Sequence, residues 1–147
     1  MLRVTLAPTS VGGTASATAS SLCSGATTTI TLSGSTGTIQ WQQSADGSSG
    51  WANVTGGSGA TTATYTTPAL TSSTFYRAVV TSGTCASANS STASVTVSPT
   101  SVGGTATATA AAICSNTSTT ISVAGNTGTI QWQQSANGTS GWANVSG

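Results

Sequence analysis

The chain almost lacks ionisable groups. Among its 147 residues only Arg3, Arg77 and Asp46 carry charge, and there is no Lys, Glu or His. Proton transfer at neutral pH needs a group that titrates near 7, most often His or a tuned carboxylate; an enzyme working by acid–base chemistry is therefore not expected, and neither is a cofactor. One carboxylate cannot build a calcium cage, and three Cys spread along the chain do not have zinc-site spacing. A net charge of +1 leaves nothing to steer the chain to nucleic acid or anionic lipid, both of which bind clustered Lys and Arg. No apolar run reaches the roughly 18 residues of a membrane span, so membrane insertion is not expected. Met1 to Thr9 also lacks the apolar core of an export signal. With no Lys, a Lys–Asn isopeptide cross-link is excluded.

Ser and Thr fill the space that charge leaves, at about two-fifths of all residues, and their hydroxyls suit strands and turns better than helices. An uncharged, hydroxyl-rich β-protein with Cys at repeat-specific positions fits an exported, oxidising setting: extracellular, at a cell surface or in a filament. The Asn-x-Ser/Thr triplets at Asn53, Asn89, Asn116, Asn137 and Asn144 are attachment motifs that such a composition also produces by chance.

The chain repeats itself. Thr38-Ile39-Gln40-Trp41-Gln42-Gln43-Ser44 returns from Thr129, and Pro8, Val11, Cys23, Ile30, Trp41 and Trp51 recur as Pro99, Val102, Cys114, Ile121, Trp132 and Trp142, a spacing of about 91 residues without gaps. That period is domain-sized, so each copy is expected to own its core. Residues 8–98 then form one complete repeat, residues 99–147 the first half of the next, and residues 1–7 the last strand of a preceding one, since Val4-Thr5-Leu6-Ala7-Pro8 aligns with Val95-Thr96-Val97-Ser98-Pro99. Two readings of the half repeat remain open: a window on a longer array, or subunits that complete one another by strand donation.

Alternation of apolar and polar residues predicts about seven short strands and an all-β antiparallel sandwich. Val11 to Ala19 reads as an edge strand kinked at Gly12-Gly13, followed by strands at Thr28–Leu32, at Ile39–Gln43 with a looped hairpin to Trp51 and Val54, at Thr62–Thr66, at Thr74–Thr81 and at Ala93–Val97. The inward set comprises Ile30, Leu32, Ile39, Trp41, Tyr76, Val80, Val95 and Val97. Asp46, at the hairpin tip and replaced by Asn137 in the second copy, reads as a turn former.

These residues resemble an immunoglobulin-like or fibronectin-type-III-like domain, with Trp41 in the place of the buried Trp of the third strand. Leu70 to Tyr76 resembles the tyrosine-corner segment, which would make Tyr76 the corner residue. More narrowly, Ile39-Gln40-Trp41-Gln42-Gln43-Ser44, Trp51, Tyr65, Phe75 to Val80 and Cys85 resemble the tandem Ig-like repeats of large Bacteroidetes-type cell-surface adhesins. The resemblance implies tandem Ig-like antiparallel β-sandwich domains, one complete and one truncated, in an extracellular fibre.

The cysteines depart from that family pattern, since neither Cys23 nor Cys85 lies mid-strand. A Cys23–Cys85 disulfide would close a loop of about 60 residues and contribute roughly 4 kcal/mol in the chain-entropy model; Cys114 has no partner in this window, and three free thiols are the alternative. Pro99 at the joint between repeats favours extended backbone and a stiff connection. The leading expectation is a structural stalk or filament segment whose partners are neighbouring repeats or copies of itself. The alternative is a module binding a surface glycan or protein through Trp51 and Trp142, whose indole faces can stack on sugar.

Overall fold

A computed structural model describes residues 4–146, and no helix occurs among them: the fold is all-β, built almost entirely from antiparallel ladders. The chain divides into two units, Met1–Pro99 and Thr100–Gly147.

In the first unit, β1 (Thr14–Ala17), β3 (Thr29–Ser33) and β6 (Thr64–Thr66) make a three-stranded sheet in the order β1-β3-β6. Opposite it stands a sheet in the order β2-β9-β7-β4-β5, formed by β2 (Ser21–Cys23), β4 (Thr38–Ser44), β5 (Ala52–Asn53), β7 (Thr74–Thr81) and β9 (Ala93–Ser98), with β8 (Ala88–Asn89) paired to β7. The longest ladder joins β4 to β7, from Thr38↔Thr81 to Ser44↔Phe75. Burial alternates along β7: Tyr76, Ala78 and Val80 point one way and are fully buried, while Phe75, Arg77 and Val79 point the other and are half-buried.

The facing sides of the two sheets meet in one core. Ala15, Ile30, Leu32 and Tyr65 enter from the first sheet, and Trp41, Tyr76, Ala78, Val80, Ala93 and Val95 from the second. Ile39 and Val97 are only partly buried against it. At its centre Tyr65 lies between Trp41 and Tyr76, with ring centroids 6.4 and 5.9 Å away. The Trp41 indole N–H donates to the Thr62 carbonyl at 2.8 Å, and the Tyr65 hydroxyl to the Gly56 carbonyl at 3.1 Å.

Hydroxyls finish the hydrogen bonding that short strands leave open. The Ser90 hydroxyl accepts from the Ala78 amide, Ser10 from Ser82 and Thr67 from Thr28, and Ser10, Thr28, Ser82, Ser90 and Thr67 are all buried. Each bond satisfies a buried amide that would otherwise be stranded. Composition thus serves the fold directly.

The first unit has nine strands where alternation predicts seven. The additional ones are β2 and β8, of three and two residues. β2 runs parallel to β9, with Ser21↔Thr96 and Cys23↔Ser98. Gly12 and Gly13 form the expected kink before β1 for a spatial reason: a Cβ on Gly12 would lie 2.0 Å from the Asn89 carbonyl oxygen, and Gly13 has φ of 76°. Residues 1–3 of the segment read as a preceding last strand lie outside the described residues; Val4 to Ala7 form no strand, and Val4 and Leu6 are exposed.

The second unit reproduces the first locally. β10 (Thr105–Ala108) pairs with β11 (Ile121–Ala124) in the register of β1 and β3, and β12 (Gln133–Gln134) with β13 (Ala143–Asn144) in that of β4 and β5. Among its described residues there are no counterparts of β2 or of β6 to β9. Side chains that the first unit buries are therefore open here: Ile121, matching Ile30, is 54% exposed, and Trp132, matching Trp41, is 37% exposed against zero.

Candidate functional site

The outer face of the larger sheet carries the concentration of planar polar and aromatic groups. Register places Gln42 between Arg77 on β7 and Asn53 on β5, so the three share that face. The Arg77 guanidinium donates from Nε and Nη2 to the Gln42 side-chain oxygen at 3.1 and 3.0 Å, and Gln42 donates weakly to Asn53 Oδ1 at 3.4 Å. The same guanidinium carbon sits 4.3 Å from the Trp51 ring centroid, a cation–π contact.

This geometry redefines Trp51. One indole face is covered by Arg77 and the residue is half-buried, so at most the opposite face is free for stacking. Trp142 is 53% exposed, and residues 100–147 contain no Arg that could stack on it as Arg77 does on Trp51. Gln133 and Asn144 repeat the Gln42–Asn53 bond at 3.1 Å, and Gln131, like Gln40, donates to the following carbonyl at 3.0 Å. The repeated groups therefore bond to one another within the sheet.

At the hairpin tip Asp46 Oδ1 accepts from the Ser48 and Ser49 amides at 2.8 and 2.7 Å, Oδ2 accepts from the Ser49 hydroxyl, and Ser44 braces the loop by donating to the Ser49 carbonyl at 2.6 Å. These bonds, those from Ser49 first, hold the Asp46 carboxyl far below the usual carboxylate range. Asn137 builds the same turn without a charge, accepting from Thr139 and Ser140 at 3.0 and 2.9 Å. The carboxylate is consumed by local structure.

The tyrosines titrate high. Burial raises Tyr65, and burial together with the neighbouring Tyr65 pushes Tyr76 up to about 12 against a weaker opposing effect of Thr74. Tyr76 is not a corner residue. Its hydroxyl is buried with no protein partner in hydrogen-bonding geometry, because the alternation of β7 points it into the core rather than back along its own backbone. The tyrosine that does bond to backbone is Tyr65.

The expected Cys23–Cys85 disulfide is not formed: Cys23, Cys85 and Cys114 are all free, Cys23 and Cys114 exposed. Topology gives the reason. Cys23 pairs with Ser98, three residues beyond Val95, which faces Thr74 at the start of β7; Cys85 follows the far end of β7. At about 3.3 Å per residue the two lie roughly 30 Å apart, against a disulfide reach of about 7 Å between Cα atoms.

Among the described residues no group of three His, Cys, Asp or Glu is placed to hold a metal, and no helix is long and apolar enough to cross a membrane. A hollow of about 260 Å³ lined by Val102, Ala106, Val123, Ile130 and Trp132 is the uncovered inner side of the second unit.

The chain belongs to a family described as a domain of unknown function (DUF8696), whose pattern matches residues 11–99. The matched span is the first unit almost from end to end. No curated protein matches the chain.

Proposed function

We propose that the first unit is an immunoglobulin-like sandwich and that the chain is a structural segment of an extracellular fibre or adhesin stalk, in which such units follow one another end to end. The observation that carries this reading is the separation of the two ends of the unit. The chain enters beside the turn after β7, where Ser10 accepts from the Ser82 amide at 2.9 Å. It leaves through Ser98 at the end of β9, beyond the start of β7. Entry and exit thus lie at opposite ends of an eight-residue strand, the arrangement that an end-to-end reading of the copies requires. The sheet orders β1-β3-β6 and β2-β9-β7-β4-β5 support the Ig-like assignment. The absence of Lys, Glu and His argues for a role without acid–base catalysis, and the setting we assign is the cell surface or a secreted filament.

The partners in this reading are neighbouring repeats or copies of the chain. In this reading the open inner side of the second unit, where Ile121 and Trp132 are exposed, is a surface that strands of another copy would cover. Small-angle scattering of the native protein tests the reading: a rod whose length grows linearly with repeat number supports it, and a compact or freely jointed particle contradicts it.

A second reading, a glycan- or protein-binding module, is favoured only by the free face of Trp51 and by the exposed Trp142. Trp51→Ala and Trp142→Ala separate the two: loss of binding on a glycan array with fold retained would favour the module.

A further inference from the structure

Half of the Arg77 guanidinium is unspent. A guanidinium carries five N–H donors in a planar fork, and Arg77 gives its side edge, Nε and Nη2, to the Gln42 oxygen at 3.1 and 3.0 Å. The end edge, formed by Nη1 and the second Nη2 hydrogen, meets no protein acceptor among the described residues. It is not sealed off either. Arg77 is half-buried, and the Tyr76 hydroxyl is the one buried side-chain polar atom without a partner among those residues. The open edge therefore faces water.

Its charge is uncompensated as well. Among the described residues Arg77 is the only cationic side chain and Asp46 the only carboxylate, and Asp46 spends both oxygens on Ser44, Ser48 and Ser49. The fork is also held still. Gln42 fixes its side edge, and the Trp51 ring centroid lies 4.3 Å from the guanidinium carbon, so little side-chain freedom is left to lose when an anion docks. An immobilised end-on fork matches a carboxylate, which accepts two parallel N–H···O bonds in one plane.

The neighbours select the carrier of that carboxylate. Asn53 shares the face and is exposed, and its amide nitrogen donates to no protein atom among the described residues. Trp51 is half-buried and keeps part of its indole in water. A free amide donor and indole surface beside a charge suit the hydroxyls and C–H groups of a sugar; an acidic peptide side chain would use neither. We infer that this face binds a carboxylate-bearing saccharide, a uronic acid unit of a polysaccharide. Arg77 pairs with its carboxylate, and Asn53 and Trp51 contact its ring. Residues 100–147 repeat the other three positions as Gln133, Asn144 and Trp142 but contain no Arg, so the element that reads charge belongs to the first unit.

This inference rests on the binding-module reading of the same face and gives it a ligand class; the test separates the two. The full chain is titrated with oligosaccharides of galacturonic acid and, in parallel, with their methyl esters, which keep every ring hydroxyl and lose the charge. NMR reads the Arg77 Nε–H and Trp51 indole N–H signals. The expected result is saturable movement of both, with the acid bound about ten- to a hundredfold more tightly than the ester, the worth of one charge-assisted pair. Arg77→Gln and Gln42→Glu should each erase that preference. Gln42→Glu exchanges an amide for a carboxylate of the same shape, so it cancels the guanidinium charge with the strand pairing left in place. Equal binding of acid and ester overturns the inference and leaves the binding-module reading standing, and binding of neither overturns both. Equal or tighter binding of a poly-glutamate peptide or of a sulfated glycan, or an acid preference that survives both variants, overturns the ligand assignment.

Discussion

Trp41 and Trp132 occupy the same position of the repeat in different surroundings, and that contrast gives a sharp prediction. Trp41 is fully buried, its indole N–H bonded to Thr62, whereas Trp132 is 37% exposed. Trp41→Ala removes a whole buried indole, which costs about 3–5 kcal/mol. It also strands the Thr62 carbonyl, adding about 1 kcal/mol. A domain near 90 residues has about 5–13 kcal/mol of stability in total, so the variant sits close to unfolding. Trp132→Ala removes an indole that is already partly in water and lacks the second layer of strands; we expect a cost under about 1.5 kcal/mol. Hydrogen exchange by mass spectrometry reads each unit separately. In Trp41→Ala the amides of β7 should exchange about a thousandfold faster or more, at about 1.4 kcal/mol per tenfold, and in Trp132→Ala they should keep their protection. Equal deprotection of β7 by both variants, or none by Trp41→Ala, would refute the description of the core.

Asp46→Asn should leave stability at pH 7 nearly unchanged, because Asn137 already builds the same turn. The wild-type carboxyl, lowered from 3.8, contributes stability that is present above its unfolded value and lost as pH falls through the folded one; the variant should lose that acid limb in urea titrations between pH 5 and pH 2. Tyr76 works at the other end. Raised from 10.0 to about 12, it contributes stability that is full below pH 10 and lost as pH rises toward 12. Tyr76→Phe should shrink that alkaline loss in thermal melts and be neutral or stabilising by up to about 1 kcal/mol at pH 7, since no protein hydrogen bond is lost. Gly12→Ala should destabilise by more than about 1 kcal/mol in denaturant unfolding, because its Cβ would lie 2.0 Å from the Asn89 backbone oxygen.

The legible parts of the fold were the locally patterned ones. Thr74 to Thr81 alternates strictly and is β7 to the residue, and the Trp41–Trp51 hairpin is local in sequence. β2 was not legible, because Ser21-Leu22-Cys23 shows no alternation and its parallel partner lies more than 70 residues away. Tyr65 stands alone among threonines and gave no inward pattern, yet it fills the centre of the core. The Arg77–Trp51 stack joins a β7 residue to the residue just before β5, which only the β4–β7 and β4–β5 registers bring together. The cysteines were the instructive failure. Spacing along a chain says how long a loop a disulfide would close, but which end of a sandwich each thiol occupies depends on strand direction.

The proposal that units of this kind are strung end to end is tested most directly by electron microscopy of the native protein. The account predicts straight filaments of regularly spaced beads with an axial repeat of roughly 40 Å, the length of an eight-residue strand plus its end loops. Single compact particles, or beads joined at random angles, would contradict it.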